Sequence, residues 1–173
     1  MYRIMLVYGA IAGMVIIAIM TAGMVLGSGG GSEVQGYLTM IVVLSLIFVG
    51  VKRYRDKNLG GVIKFLPALG VGAGIAAVAA VFYVLSWEVS LQVTDFAFIE
   101  AYKETTIASY EAKGLTGEAL ASKVEKLEAM MASYRNPAYR LPITFVEIFP
   151  VGLVVALISA ALLRNPKILP ARA

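Results

Sequence analysis

Four long apolar stretches constrain this chain more than any other feature of its sequence. They cover residues 4–26, 34–51, 66–87 and 143–163, and Glu147 is the only charged residue within them. A helix needs about 20 mostly apolar residues to cross ~30 Å of bilayer hydrocarbon. Burying four such helices in a soluble protein would require more polar surface than a chain with 60% hydrophobic and 15% charged residues can supply. The sequence therefore predicts an all-α membrane protein, a bundle of four transmembrane helices within a single membrane domain over residues 1–173.

The charges between these stretches predict how the chain is oriented. One side carries nine cations against the single anion Asp56, whereas the other side carries six cations against nine acids. Cytoplasmic segments of membrane proteins have an excess of Lys and Arg. Both termini and the loop 52–64 are therefore expected in the cytoplasm.

The loop 52–64 is the densest cluster of charge. Because cytoplasmic Lys and Arg hold topology and attract anionic headgroups, we expect these cations to contact the bilayer and its anionic lipids. The alternative is a docking site for a cytoplasmic partner. Because membrane topology accounts for most of the net charge of +4, this charge gives no reason to expect a nucleic-acid partner. The cations of the cluster are Lys52, Arg53, Arg55, Lys57 and Lys64.

The first stretch is predicted to be a retained span and not a secretory signal. Its apolar run is longer than the usual core of a signal peptide, and no clear small-x-small cleavage site follows it. The Gly/Ser-only link over residues 27–32 is short and uncharged, which suffices for a tight external turn. The same link also resembles an engineered linker.

Residues 88–142 are the one substantial polar segment, and they predict an extracytoplasmic helical hairpin between spans three and four. Thr94 or Asp95 is expected to cap the first helix, and Gly114 to end it in a left-handed conformation. Thr116 is expected to cap the second helix.

Prolines predict where the hairpin ends. The pair Asn136-Pro137, together with Pro142, is expected to end the second helix and return the chain to the bilayer. Pro142 is expected in the first turn of the fourth span, since proline is tolerated there.

The second helix of the hairpin has an apolar face. Its residues recur at intervals of four and three, which places them on one side of a helix, and charged residues occupy the other side. The favoured interpretation is that this face packs on the first helix. The alternative is that it docks a partner protein or a second copy of the chain. The face comprises Leu120, Val124, Leu127, Met131 and Tyr134.

Glu147 is the candidate functional residue, because ionisable groups inside membrane spans are rare and often functional. It could bind a cation or relay a proton, with Pro150 as a hinge. The favoured alternative is structural: Glu147 lies near the outer end of its span, where it could pair with Arg140 or Arg135. Glu88, at the outer end of span three, is expected to be an interfacial residue and not a ligand.

Small residues recur at the spacing that lets membrane helices approach closely. The favoured interpretation is packing among the four spans, and the alternative is homo-oligomerisation. The rows are Gly9 with Gly13, Gly70 with Gly74, and Gly152 with Ala156 and Ala160.

Two short motifs complete the sequence pattern. One joins spans two and three: Tyr54-Arg55-Asp56, then Gly60-Gly61, Phe65 and Gly70. The other lies in span four: Glu147, then Phe149-Pro150-Val151-Gly152. Both resemble motifs of a family catalogued as domain of unknown function 4199. The resemblance covers nearly the whole chain and implies a bacterial protein of the inner membrane, but it implies no activity and no catalytic residues.

The absence of particular side chains narrows the function. The sequence has no cysteine and no histidine, which excludes thiolate zinc sites, cysteine nucleophiles and the commonest general base. No cofactor and no enzymatic activity are therefore expected. The prediction is a non-enzymatic scaffold or protein-interaction component, and the alternative is a small transporter or ion-translocating protein that uses Glu147.

Overall fold

The computed structural model describes residues 1–25 and 33–171, and in this part of the chain every regular element is an α-helix. The predicted turn over residues 27–32 lies outside the described residues. The helices are α1 (Tyr2–Val25), α2 (Glu33–Leu44), α3 (Leu46–Asn58), α4 (Phe65–Val93), α5 (Ala97–Ala112), α6 (Gly117–Tyr134) and α7 (Pro137–Leu163).

Among the residues that the structure describes, four helical segments are long and apolar enough to cross a membrane, which confirms the predicted class of an all-α protein with four candidate spans. The second segment combines α2 and α3, which are separated only at Ser45, where the Ser45 hydroxyl donates to the Val42 carbonyl at 2.6 Å. The segments are Tyr2–Ile19, Gly36–Asn58, Phe65–Val93 and Pro137–Leu163.

Helix α3 continues past the apolar stretch, so the prediction of a loop starting at residue 52 is wrong. The cluster residues from Lys52 to Lys57 are helical, and only residues 59–64 form the connection. An ion pair between Lys52 and Asp56, one turn apart, supports this extension of the helix. Gly60 and Gly61 have φ of 64° and 91°, a left-handed conformation that glycine adopts without a Cβ clash, and they turn the chain into α4.

The chain divides into two compact units, and the first comprises Met1–Ser86 and Phe145–Ala173. Small residues let its helices approach closely. A Cβ added to Gly13 would lie 2.6 Å from the Ala79 carbonyl oxygen, and one added to Gly152 would lie 2.8 Å from the Ala76 Cβ. These rows are therefore used for packing inside the chain, as favoured above. The row of Gly70 and Gly74 is mixed: a Cβ on Gly74 would lie 2.7 Å from the Met5 sulfur, whereas one on Gly70 would meet nothing within 4 Å.

The second unit is Trp87–Thr144 and contains α5 and α6. Its core is a cluster of Ile99, Leu127 and Met131. The chain turns between the two helices at Gly114, whose φ of 80° confirms the predicted left-handed end of α5. Thr116 occupies the N-cap position of α6, as predicted, but makes no capping hydrogen bond through its side chain.

The predicted cap of α5 is wrong. The residue before α5 is Phe96, with a φ of 59°, and neither Thr94 nor Asp95 takes its place. The reason is that α4 runs on to Val93, beyond its apolar stretch, so Thr94 belongs to the end of α4. Its hydroxyl donates to the Ser90 carbonyl at 2.8 Å.

Helix α7 begins at Pro137 and passes through Pro142, so the prediction that Pro142 lies in the first turn of this helix is wrong. The Asn136 side-chain oxygen accepts a hydrogen bond from the Ala138 backbone N–H at 3.0 Å. Asn136 thereby caps the helix, and Pro137 occupies the first position, where its missing N–H is not needed.

Candidate functional site

The strongest polar contact of the second unit joins Glu88 to Arg140. Arg140 is fully buried, and its Nε and Nη2 donate to the two carboxylate oxygens of Glu88, each at 2.6 Å. This bidentate geometry is the strongest form of an arginine–carboxylate contact. Two residues far apart in sequence are thereby held in one orientation.

The remaining guanidinium nitrogen of Arg140 serves the end of α6. Nη1 donates to the carbonyl of Tyr134 at 2.8 Å and to that of Arg135 at 3.1 Å. These carbonyls lie at the C-terminus of a helix, where intrahelical partners are missing. The guanidinium also lies over the Phe96 ring, 5.4 Å from its centroid, in cation–π geometry. Arg140 is therefore a structural clamp whose donors face inward.

This arrangement corrects the predicted pairing of Glu147. Arg140 binds Glu88, and Arg135 contacts Glu100, with 3.3 Å between Arg135 Nη2 and Glu100 Oε1. Neither arginine contacts Glu147. The sequence contained a usable signal, because Glu88 directly follows the predicted span three and Arg140 lies three residues before the predicted span four. Consecutive spans run antiparallel, so these two ends belong to the same side of a membrane.

Glu147 lies on an exposed side of α7, between the exposed residues Val146 and Pro150. Its side chain makes no hydrogen bond or ion pair with any other residue that the structure describes. It is ~15 Å along the helix from Pro137, at 1.5 Å per residue. The helix continues through Pro150 without interruption. Glu147 is the one carboxylate of the apolar stretches, and its side chain is exposed.

The basic cluster separates into one buried and several exposed cations. Arg55 is fully buried: its Nε donates to Asp56 at 2.7 Å, Nη1 donates to the Ile168 carbonyl at 2.9 Å, and Nη2 donates to the Leu169 carbonyl. Arg55 thus holds the C-terminal segment and is not free to contact lipid as predicted. The cluster residues that remain exposed are Arg53, Lys57 and Lys64.

The apolar face predicted on α6 points inward. Leu127 and Met131 are buried against Ile99 of α5, and the other three members of the face are partly buried. The favoured interpretation, that this face packs on the first helix of the hairpin, therefore accounts for these residues. The opposite face of α6 is exposed and carries charges of both signs: Glu118, Lys123, Glu125, Lys126 and Glu128.

A groove in the second unit has no counterpart in the sequence predictions. Its volume is about 210 Å³. The indole of Trp87 lies edge-on to one lining ring, that of Phe98, with 4.9 Å between centroids. No periodic signal marks the groove, because its walls come from three helices. The lining residues are Phe98, Tyr102, Met130, Met131, Tyr134, Tyr139 and Ile143, and we call them the aromatic groove.

Neither a metal site nor an unsatisfied polar pocket is evident in residues 1–25 and 33–171. No group of three or more Asp or Glu side chains there could hold a metal ion. Every buried side-chain nitrogen or oxygen in the same ranges has a hydrogen-bond partner. The buried polar side chains in these ranges are therefore hydrogen-bonded to other groups of the chain.

Comparison with known proteins identifies a family. A family model described as "Protein of unknown function (DUF4199)" matches residues 7–165. Neither a curated protein nor a solved structure matches the chain.

Proposed function

Because the chain belongs to the DUF4199 family of proteins of unknown function, we propose its role from its architecture: a non-enzymatic scaffold of the bacterial inner membrane. In this proposal the four apolar helices hold the protein in the bilayer. Helices α5 and α6 of the second unit are the extracytoplasmic part that a partner protein recognises.

The observation that carries this proposal is how the buried polar groups are used. Arg140 and Arg55 are both fully buried, and both direct their donors to carboxylates and backbone carbonyls of the chain itself. A catalytic site needs polar groups available to a substrate, whereas a fully satisfied buried network makes a structure rigid. A rigid, preorganised surface suits a protein that binds other proteins.

The charged face of α6 is the surface we propose for the partner. Its acidic and basic side chains are exposed and alternate in sign, as at Lys123 and Glu125. Complementary charges give register and specificity to an interface more than raw affinity. The apolar side of the same helix is already occupied by α5.

The proposed orientation places both termini in the cytoplasm. Arg55, at the end of α3, binds the carbonyls of Ile168 and Leu169, which supports one common side for the α3–α4 connection and the C-terminal segment. Exposed cations accumulate on both, among them Lys57 and Lys167. Such a surface attracts the anionic lipids of a cytoplasmic leaflet.

Ion or proton translocation is the second candidate function. The observation that favours it is the exposed Glu147 carboxylate, which has no partner among the described residues, within an apolar helix. Placing a charged side chain in the hydrocarbon region costs about 3 kcal/mol of free energy, so a carboxylate there is a candidate functional group.

Two experiments test the scaffold proposal. A photo-crosslinking amino acid at Lys123, on the charged face of α6, should give one discrete adduct in native membranes. The matched control is Lys113, which is exposed but lies outside α6. Equal labelling patterns at the two positions, or none at either, would count against a partner on this face.

The second experiment separates scaffold from transporter. Protein reconstituted in liposomes should dissipate an imposed proton, sodium or potassium gradient no faster than empty liposomes do. The contrary result is a flux that the wild type supports and that Glu147→Gln abolishes while circular dichroism shows unchanged folding. That result would contradict the scaffold proposal and support ion or proton translocation.

A further inference from the structure

The aromatic groove has the chemistry of a site for a slender apolar group. Carbon-rich side chains line it, such as Phe98 of α5, Met130 of α6 and Ile143 of α7. Its volume of about 210 Å³ is below the ~300–1,000 Å³ typical of sites for drug-sized ligands. A protein helix, with a diameter of ~10 Å, does not enter so small a space. A single hydrocarbon chain does.

One wall of the groove belongs to a candidate membrane span. Tyr139 and Ile143 lie in the segment Pro137–Leu163 and are 44% and 43% exposed. The outer surface of a spanning helix is surrounded by acyl chains, and tyrosine concentrates where the hydrocarbon meets the headgroups. A groove that opens along such a helix is therefore supplied with lipid from the bilayer.

Cations close to the lining residues complement a lipid headgroup. Lys103 follows Tyr102, and Arg135 follows Tyr134; both contact the single carboxylate of Glu100, at 3.0 Å and 3.3 Å. The three side chains Lys103, Arg135 and Glu100 together carry one positive charge. A phosphate group is attracted to that charge, and Arg135, with a side chain 55% exposed, remains accessible to it.

We propose that the aromatic groove holds one acyl chain of a bilayer phospholipid, whose phosphate lies by Lys103 and Arg135. The occupant is a membrane lipid and not a soluble metabolite, because the walls offer apolar surface and the exposed helix α7 offers access from the bilayer. The lipid would fill the space between α5, α6 and α7 within the second unit and couple that unit to the lipid composition of the membrane.

The chain contains its own reporter for this site. Trp87 is the sole tryptophan, it is 5% exposed, and its ring lies edge-on to Phe98 of the groove at 4.9 Å between centroids. Bromine quenches indole fluorescence at short range. Nanodiscs of phospholipid brominated along the acyl chain should therefore quench Trp87 by about half or more, relative to nanodiscs of the same lipid without bromine.

Matched variants decide whether the quenching comes from the groove. Met130→Glu places a carboxylate at the groove and should remove most of the quenching, because a charge excludes the hydrocarbon chain. Ser122→Glu places the same group on an exposed position of α6 away from the groove and should leave the quenching unchanged. Equal quenching in the two variants would overturn the proposal.

Two further measurements test the folding of the variant and the class of lipid. If Met130→Glu loses helicity by circular dichroism, the neutral Met130→Gln replaces it, with the same expected direction. In detergent, brominated phospholipid should quench Trp87 when added at low ratio. Quenching by brominated free fatty acid alone would overturn the assignment to phospholipid, and no quenching of the wild type by either lipid would overturn a lipid occupant altogether.

Discussion

Arg140 and Arg55 illustrate, at the scale of single residues, how this chain uses charge in an apolar environment. Each is fully buried, each has a carboxylate partner, and each gives its other donors to backbone carbonyls. Removing the carboxylate from such a contact leaves the buried guanidinium without compensation, which is the costly outcome. The contribution of these two arginines to the free energy of unfolding should therefore far exceed that of exposed ion pairs.

We expect Arg140→Ala to lower the free energy of unfolding by about 3 kcal/mol, since Glu88 would lose its bidentate partner and two carbonyls would lose their donor. Reversible unfolding in mixed micelles, followed by Trp87 fluorescence, measures this change. Arg135→Ala is the control, because its pair with Glu100 is exposed and screened by solvent, so its loss should change the free energy of unfolding little. Similar losses for the two variants would contradict the clamp.

Glu100 provides a prediction about pH. The neighbouring Lys103, assisted by Arg135, lowers the pKa of the Glu100 carboxyl below its usual value. A lowered pKa in the folded state means that the carboxylate contributes stability above its unfolded pKa and loses it as the pH falls through the folded value. Lys103→Ala should raise the pKa of Glu100, as measured by NMR titration. Because the site is exposed, added salt should shrink the difference, whereas an unchanged pKa would contradict the pairing.

At the scale of elements, the contact between α1 and α4 depends on the absence of a side chain. Gly13→Ala should destabilise the protein by about 1–3 kcal/mol, since the new Cβ would lie 2.6 Å from the Ala79 carbonyl oxygen, which is backbone and cannot rotate away. Gly70→Ala is the matched control, because a Cβ there meets nothing within 4 Å. Thermal unfolding in micelles should separate the two, and equal midpoints would contradict the close approach.

The connection between α3 and the C-terminal segment gives a second prediction at this scale. Arg55→Ala removes two charge-assisted hydrogen bonds to the carbonyls of Ile168 and Leu169, so the segment should open more often. Trypsin should then cleave after Lys167 at least about tenfold faster, since ~1.4 kcal/mol corresponds to that factor. Arg53→Ala, at an exposed position of the same helix, should leave the rate unchanged. Equal cleavage rates would mean that Arg55 does not hold the segment.

Apolar composition located the four candidate spans but not the ends of their helices. Helix α3 continues to Asn58 because Lys52 pairs with Asp56, and α7 begins at Pro137 because Asn136 caps it. Both effects are short-range and can be read from the sequence. The predicted helix ends followed the apolar stretches instead and therefore missed them.

The contact of Glu88 with Arg140 is a different case. It joins residues 52 positions apart, so its geometry depends on how the elements pack and not on any local pattern. The aromatic groove was missed for the same reason, since three helices supply its walls. Local sequence signals therefore predicted the elements of this chain and the packing of α6 on α5, but not the Glu88–Arg140 contact or the groove that three helices build.

At the scale of the whole molecule, the orientation can be tested without background because the chain has no cysteine. We introduce Ser122→Cys on α6 and Asn58→Cys at the end of α3. An impermeant thiol reagent added outside intact cells should label the first and spare the second, since α6 is proposed to be extracytoplasmic. Permeabilised cells should show both labelled, and the reverse pattern in intact cells would refute the proposed topology.

The Glu88–Arg140 contact also has a consequence for how this chain can change over generations. A substitution at either position alone leaves a charged group without its bidentate partner, so such a variant should be eliminated before a second substitution arrives. The two positions are then inherited as a pair. In any homologue, an acidic residue at the first position and a basic residue at the second should be kept together or lost together. Their joint presence would mark homologues in which this part of the chain folds in the same way.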